Sequence, residues 1–111
     1  KSKPMCALKV SLTFLEGPVD SIISQGTRIA VSMNENKNFP IPPISPAGLQ
    51  SVIDELKSME KKSKTQKARQ ISDRDIALAD VRDFIEQNAS YVETASKNDV
   101  AILLSSGFEV Q

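Results

Sequence analysis

Ile71, Leu78, Ile85 and Val92 recur at seven-residue intervals, and no other pattern in the chain restricts its fold as strongly. Ala77, Phe84 and Tyr91 each precede a member of this series by one position, while Val81 and Ala95 follow by three. An apolar stripe of this period belongs to a long amphipathic helix, and other helices must cover it. The spacing predicts a helix over 66–96, with Ile71, Leu78, Ile85 and Val92 as its seam and Phe84 and Tyr91 on the flank. Ser72 with Asp75 three residues later would cap a shorter helix, but Ala68 and Ile71 carry the stripe further upstream. Asn88 falls near the seam, either as a buried register-setting amide or at its rim.

The residues that must cover the stripe are aliphatic. Aromatic residues make up 5% of the 111, with no Trp and one Tyr, so Leu, Ile, Val and Ala dominate any core. That suits helix-on-helix packing better than a β-sandwich. The length fits one domain with a modest core. Fourteen basic residues balance 14 acidic ones, so net charge gives no reason to expect nucleic acid or an anionic membrane. No apolar run approaches the ~20 residues of a membrane span, and Lys9, Ser11 and Thr13 interrupt 7–15 too often for a signal-peptide core.

Along the chain, Leu8, Val10, Leu12 and Phe14 alternate with Lys9, Ser11 and Thr13, the period of an extended segment with one apolar face. After Gly17, Pro18 suits the first position of a helix, and Val19, Ile22, Ile23, Gly26, Ile29, Ala30 and Met33 extend it over 18–35. Gly26 inside that helix costs about 1 kcal/mol relative to Ala, which a close helix–helix approach or plain tolerance would explain. Pro40, Pro42 and Pro43 forbid a helix, so 34–45 is a break, within which Phe39 to Ile44 reads as a stiff polyproline-like connector with Phe39, Ile41 and Ile44 on the bundle surface. Ser45 and Pro46 form an N-cap and first-turn pair. Leu49, Val52, Ile53, Leu56 and Met59 line a second helix over 46–62, and the apolar-poor stretch 60–67 holds the turn. Past a break at Lys97-Asn98-Asp99, Val100 to Leu104 makes a short helix, Gly107 a left-handed cap, and Phe108 to Val110 an extended tail.

Chemistry is hard to place on these elements. The sequence contains no histidine, the usual neutral-pH acid–base group and metal ligand. Its single cysteine, Cys6, allows no intramolecular disulfide and no cysteine-based zinc site; it reads as an incidental thiol. Asp73, Asp75, Asp80 and Asp83 form an acidic cluster, yet no Asp-rich loop with a turn glycine accompanies them, and a solvated helix face explains them better. Lys57, Lys61, Lys62, Lys64, Lys67, Arg69 and Arg74 face only Glu60 and Asp73 over 57–74, a local excess of +5. This patch could meet phosphates, but no aromatic side chain interleaves it for base stacking. Serine nucleophiles lack a histidine base, and four glycines form no phosphate-cradling loop. No enzyme, cofactor, metal or small-molecule substrate is expected.

Three segments carry a resemblance: Asn38-Phe39-Pro40-Ile41-Pro42-Pro43, then Tyr91-Val92, then Asp99 through Leu104 and on through Ser105-Ser106-Gly107-Phe108-Glu109-Val110. Over about 30–110 the chain resembles a family of small helical proteins of Bacteroidetes-type bacteria, many of them followed by a fibronectin type III module. The resemblance implies a helical bundle in a modular, extracytoplasmic or particle-associated setting, and it transfers no catalytic residue.

The expected fold is therefore all-α: three long helices and one short C-terminal helix in an antiparallel bundle over 17–106. An extended arm over 1–16 and an extended tail over 107–111 complete it. The expected function is a non-catalytic structural or protein-interaction module that docks onto other copies of itself or onto a larger virion, cell-surface or extracellular assembly rather than working in the cytoplasm. Leu8, Val10, Leu12, Phe14, Phe39, Pro40, Pro42, Phe108 and Val110 are its candidate contacts, because apolar extended ends either pair with each other or add to a neighbouring sheet. The alternative is a nucleic-acid or acidic-partner binder acting through 57–74.

Overall fold

Four helices and a two-stranded ribbon make up the computed structural model, which describes residues 9–63 and 68–111, with side chains over 9–62 and 72–111. In chain order they are β1 (Val10–Ser11), a 3-10 turn (Thr13–Glu16), α1 (Val19–Met33), α2 (Pro46–Ser63), α3 (Ala68–Ala95), α4 (Val100–Leu104) and β2 (Glu109–Val110). Cys6, Leu8, Lys64 and Lys67 lie outside the described residues, as do the side chains of Arg69 and Ile71.

The helices begin and end for local reasons. Pro18 stays extended and its carbonyl accepts from Ser21 and Ile22, so α1 starts one residue later than expected. It ends two residues earlier, at Met33, because Asn34 is extended and Glu35 takes φ 58°. Ser45 Oγ accepts the Gly48 amide at 3.0 Å and caps α2, satisfying a donor the first turn leaves free. Lys97 and Asn98 both have positive φ, which stops α3, and Asp99 then caps α4 through the amides of Ala101 and Ile102.

The α1, α2 and α3 helices run antiparallel in sequence. Glu60 near the end of α2 meets Arg74 near the start of α3, and Ile44 just before α2 meets Asn88 late in α3. The α2 helix packs against both others, whereas α1 and α3 make little direct contact. Gly26 is buried where α1 faces both: a Cβ there would lie 2.9 Å from Ile53 Cδ1 of α2 and 3.4 Å from Ile85 Cδ1 of α3, so those two side chains fill the space a larger residue would need.

The described part of the arm and the tail fill the rest of the gap. Within 9–16 the arm is extended at β1, and Thr13 to Glu16 coil into a 3-10 turn that packs on α1, while β1 lies against α3. Glu93 Oε2 accepts the Val10 amide at 2.9 Å, and Arg82 Nε donates to the Leu15 carbonyl at 3.1 Å, so the arm runs along α3 from Glu93 back to Arg82. Val10, Leu15 and Phe108 join the same buried cluster as the helix seam. A 3-10 turn carries residues of one face into the cleft in a way that strict alternation would not.

The buried face of α3 departs from the seven-residue repeat. The buried positions are Ala77, Val81, Ile85, Asn88, Ala89, Val92 and Ser96, while Leu78, Phe84 and Tyr91 are half-buried. At about 100° per residue, α2 covers the side of α3 holding Ala77, Val81 and Asn88, and the arm covers the side holding Arg82 and Glu93. Leu78, one turn before Arg82, is half-buried against the core. Ile76, at the edge of the groove that α3 forms with Glu55 and Met59 of α2, is exposed.

Candidate interaction surface

Residues 34–45 cross from α1 to α2 in twelve residues, well beyond the few an antiparallel pair needs. The extra length is stitched down rather than loose. Asn36 Nδ2 donates to the Ser32 and Ser105 carbonyls at 3.2 and 3.0 Å, and Asn36 Oδ1 accepts the Asn38 amide at 2.9 Å. These bonds tie the connector's start to α1 and to the end of α4. Phe39 then turns inward, 1% exposed, with its ring edge-on to Tyr91 at a centroid distance of 6.1 Å. Tyr91 Oη accepts the Ile41 amide at 3.2 Å.

Asn88 completes the attachment. Its Oδ1 accepts the Ile44 amide at 3.0 Å and its Nδ2 donates to the Ile44 carbonyl at 2.9 Å, so one side chain pairs with the backbone as a neighbouring strand would. This amide is 0% exposed, which settles the two readings of Asn88 in favour of burial. The connector bends around Pro40-Ile41 and again around Pro43-Ile44 instead of holding one straight polyproline course. The bends follow from anchoring at Phe39 and at Ile44 with prolines between, since each proline fixes its own φ and limits its predecessor.

Among the residues expected to make contacts, the structure divides the set. Val10, Phe39 and Phe108 are core, which removes them from any surface; Phe39 in particular is not on the bundle exterior as its proline-rich setting suggests. Leu12, Phe14 and Val110 pack partly buried against that core, and Pro42 is half-buried. Pro40 is exposed. Ile41 beside it is 80% exposed and held in place by Tyr91, and Ile44 is half-covered. Among the described residues, the other large apolar side chains left in water are Val31, Ile76, Val100 and Leu104. Helical angles on α3 would have found Ile76; no period in the sequence singles out Ile41.

The grooves are shallow. One of about 260 Å³ lies where α1 ends and α2 begins, lined by Ala30, Val31, Asn34, Pro46, Ala47 and Gln50. A larger one of about 540 Å³ lies beside the arm and mixes Leu12 and Leu15 with Glu16, Arg82 and Glu86. Asp73 and Asp80 of the acidic cluster border a groove with Glu55 and Met59, and Asp83 accepts a bond from Gln87. Among the described residues no group of three or more potential metal ligands comes together, and no helix is long and apolar enough to cross a membrane.

At the basic end of the bundle, Arg74 is engaged. Its Nη1 lies 2.8 Å from Glu60 and its Nε 2.7 Å from Asp75. Those hydrogen bonds, to Asp75 first and then to Glu60, raise the guanidinium pKa above its ordinary value. Lys57 and Lys61 are exposed and share a groove with Asp20, Ile23 and Glu60, which places carboxylates among the cations. Compared with known proteins, the chain matches no family model, no curated protein and no solved structure.

Proposed function

We propose that this protein is a structural or protein-interaction module, a helical bundle that docks through apolar surface rather than transforming a substrate. The observation that carries the reading is how its buried polar side chains are used. Asn88, Ser96 and Ser106 are the buried polar residues among those described, and each holds backbone: Ile44 for Asn88, the Glu93 carbonyl for Ser96, the Leu103 carbonyl and Phe108 amide for Ser106. Polar groups in the interior thus serve the fold, while the surface keeps Ile41, Val31 and Leu104 in water, a cost that a contact would relieve. The resemblance to modular bacterial helical proteins supports a place in a larger virion, cell-surface or extracellular assembly.

Self-docking is tested by sedimentation equilibrium over a wide concentration range. Association is expected to rise with concentration, to persist at high salt as apolar contacts do, and to weaken in Ile41→Ser. A strict monomer at every concentration contradicts docking to its own copies. The phosphate-binding alternative through Lys57 and Lys61 stands second because Arg74 is already paired; it requires nucleic-acid affinity that falls steeply with salt.

A further inference from the structure

Two grooves at one end of the bundle lie on opposite flanks of α2, and they differ in the charge they present. On the flank facing α3, Glu55, Met59, Asp73, Ile76, Ala77 and Asp80 line the first. Ile76 stands at its edge, 62% exposed, with Asp73 three residues before it and Asp80 four after. At about 100° per residue these three positions share one face of α3, so the isoleucine stands between two carboxylates. On the flank facing α1, a groove of about 260 Å³ is lined by Asp20, Ile23, Lys57, Glu60 and Lys61. Half-buried Ile23 packs on the core and supplies the apolar part of that lining. Lys57 and Lys61 are exposed one turn apart on α2, about 6 Å along its axis. Glu60 is held by Arg74, which leaves two lysines against Asp20. Among the described residues, Asp73, Asp80, Lys57 and Lys61 have no oppositely charged side chain within ion-pair reach.

We infer that these flanks are the two halves of one contact between copies of this chain. Ile76 of one copy seats against Ile23 of the next, and Asp73 and Asp80 meet Lys57 and Lys61. The contact rests on the reading that copies associate, and it adds a second surface to the one at Ile41. A second copy is the occupant because each flank presents what the other lacks: a projecting apolar side chain between anions, and an apolar recess beside cations. Seating Ile76 takes apolar surface out of water, while the charges at the rim set orientation and reject a wrong partner. The flexible lysine stems bridge the difference between their own spacing and the roughly 10 Å from Asp73 to Asp80. Since the giving and receiving surfaces differ, the contact is heterologous. Each added copy leaves one flank of either kind open, and bundles join side by side in a row or, if the rotation closes, a ring.

The test is sedimentation equilibrium on a chain carrying Ile41→Ser, which removes the other apolar contact. This chain is expected still to associate, and adding Ile76→Ser is expected to make it monomeric. Asp73→Lys with Asp80→Lys sets lysine against lysine, and Lys57→Glu with Lys61→Glu sets carboxylate against carboxylate, so each double variant alone is expected to be monomeric. Mixing those two charge-reversed chains makes every pairing compatible and is expected to restore association. Mixing the Ile76→Ser chain with the Lys57→Glu, Lys61→Glu chain leaves one working flank on each, and a 1:1 dimer that does not grow is expected. The substituted side chains are exposed or half-buried at the surface, so helicity and melting temperature should follow the parent chain. An Ile41→Ser chain that is monomeric while the wild type associates would overturn the contact. So would charge-reversed chains that assemble as the parent does, or a charge-reversed mixture that stays monomeric. A wild type that is monomeric at every concentration would remove self-association itself, and this contact with it.

Discussion

Asn88 has a better claim than any other polar residue to fix how the connector lies on the bundle. A buried amide that donates to and accepts from the same residue, Ile44, recognises backbone and is indifferent to the side chain above it. Asn88→Ala removes both bonds and leaves the Ile44 amide and carbonyl without protein partners, at a cost of about 1–3 kcal/mol in denaturant unfolding. Asn88→Asp separates the two bonds by pH. Ionised, the carboxylate still accepts the Ile44 amide but turns a second acceptor on the Ile44 carbonyl; protonated, it donates there again. Burial and that carbonyl both favour the neutral acid, so its folded pKa rises above the unfolded value. The penalty then applies at neutral pH and is recovered as pH falls through the folded pKa. A variant equally destabilised at pH 7 and at mildly acidic pH would show that Asn88 does not pair with the connector in this way.

At the scale of elements, the connector and α3 form one unit although only α3 announces itself by periodicity. Phe39 is fully buried in a loop, so Phe39→Ala is expected to cost about 3–5 kcal/mol, as much as a core helix position. Ile85→Ala should cost about 2–5 kcal/mol, half-buried Leu78→Ala should cost less than Ile85→Ala, and exposed Asp83→Ala should stay within about 0.5 kcal/mol. Equal losses at Ile85 and Asp83 in thermal or chemical unfolding would mean that α3 presents no preferred face. This ordering also shows what could be read from the residues and what could not. Ile85, Val92 and Val81 were legible because a helix repeats its faces and a stripe of that period has one use. The exchange of Leu78 for Ala77 in the buried set was not, since a seven-residue repeat does not say which of two neighbouring positions is covered more fully. Phe39 was hidden for a different reason: between prolines no period relates one residue's direction to the next, so its burial is set by Tyr91 and Asn88, about fifty residues away in sequence. The contacts expected from the apolar ends were legible as a choice between pairing and adding to another sheet, and the structure takes the first.

Viewed as a whole, the molecule is elongated, 58 × 26 × 17 Å with a radius of gyration of 15.3 Å, against roughly 13 Å for a compact domain of this length. One buried cluster runs through it from Val10 and Leu15 to Leu103 and Phe108, touching every helix. The α3 helix is a support shared by several parts: α2 covers one side, the arm another, and the connector lies across its later turns, while α1 packs chiefly on α2. Interior polar groups serve this arrangement, and the surface left over is apolar in places and charged in others without a converging constellation. If α3 is that common support, its central amides can open only when the whole protein unfolds. Native-state hydrogen exchange of the Val81, Ile85, Asn88 and Val92 amides tests this most directly. The expected result is exchange at the rate set by global unfolding, with the same denaturant dependence at all four. Exchange near the rate of an unstructured peptide, or four unrelated rates, would contradict a core assembled on α3.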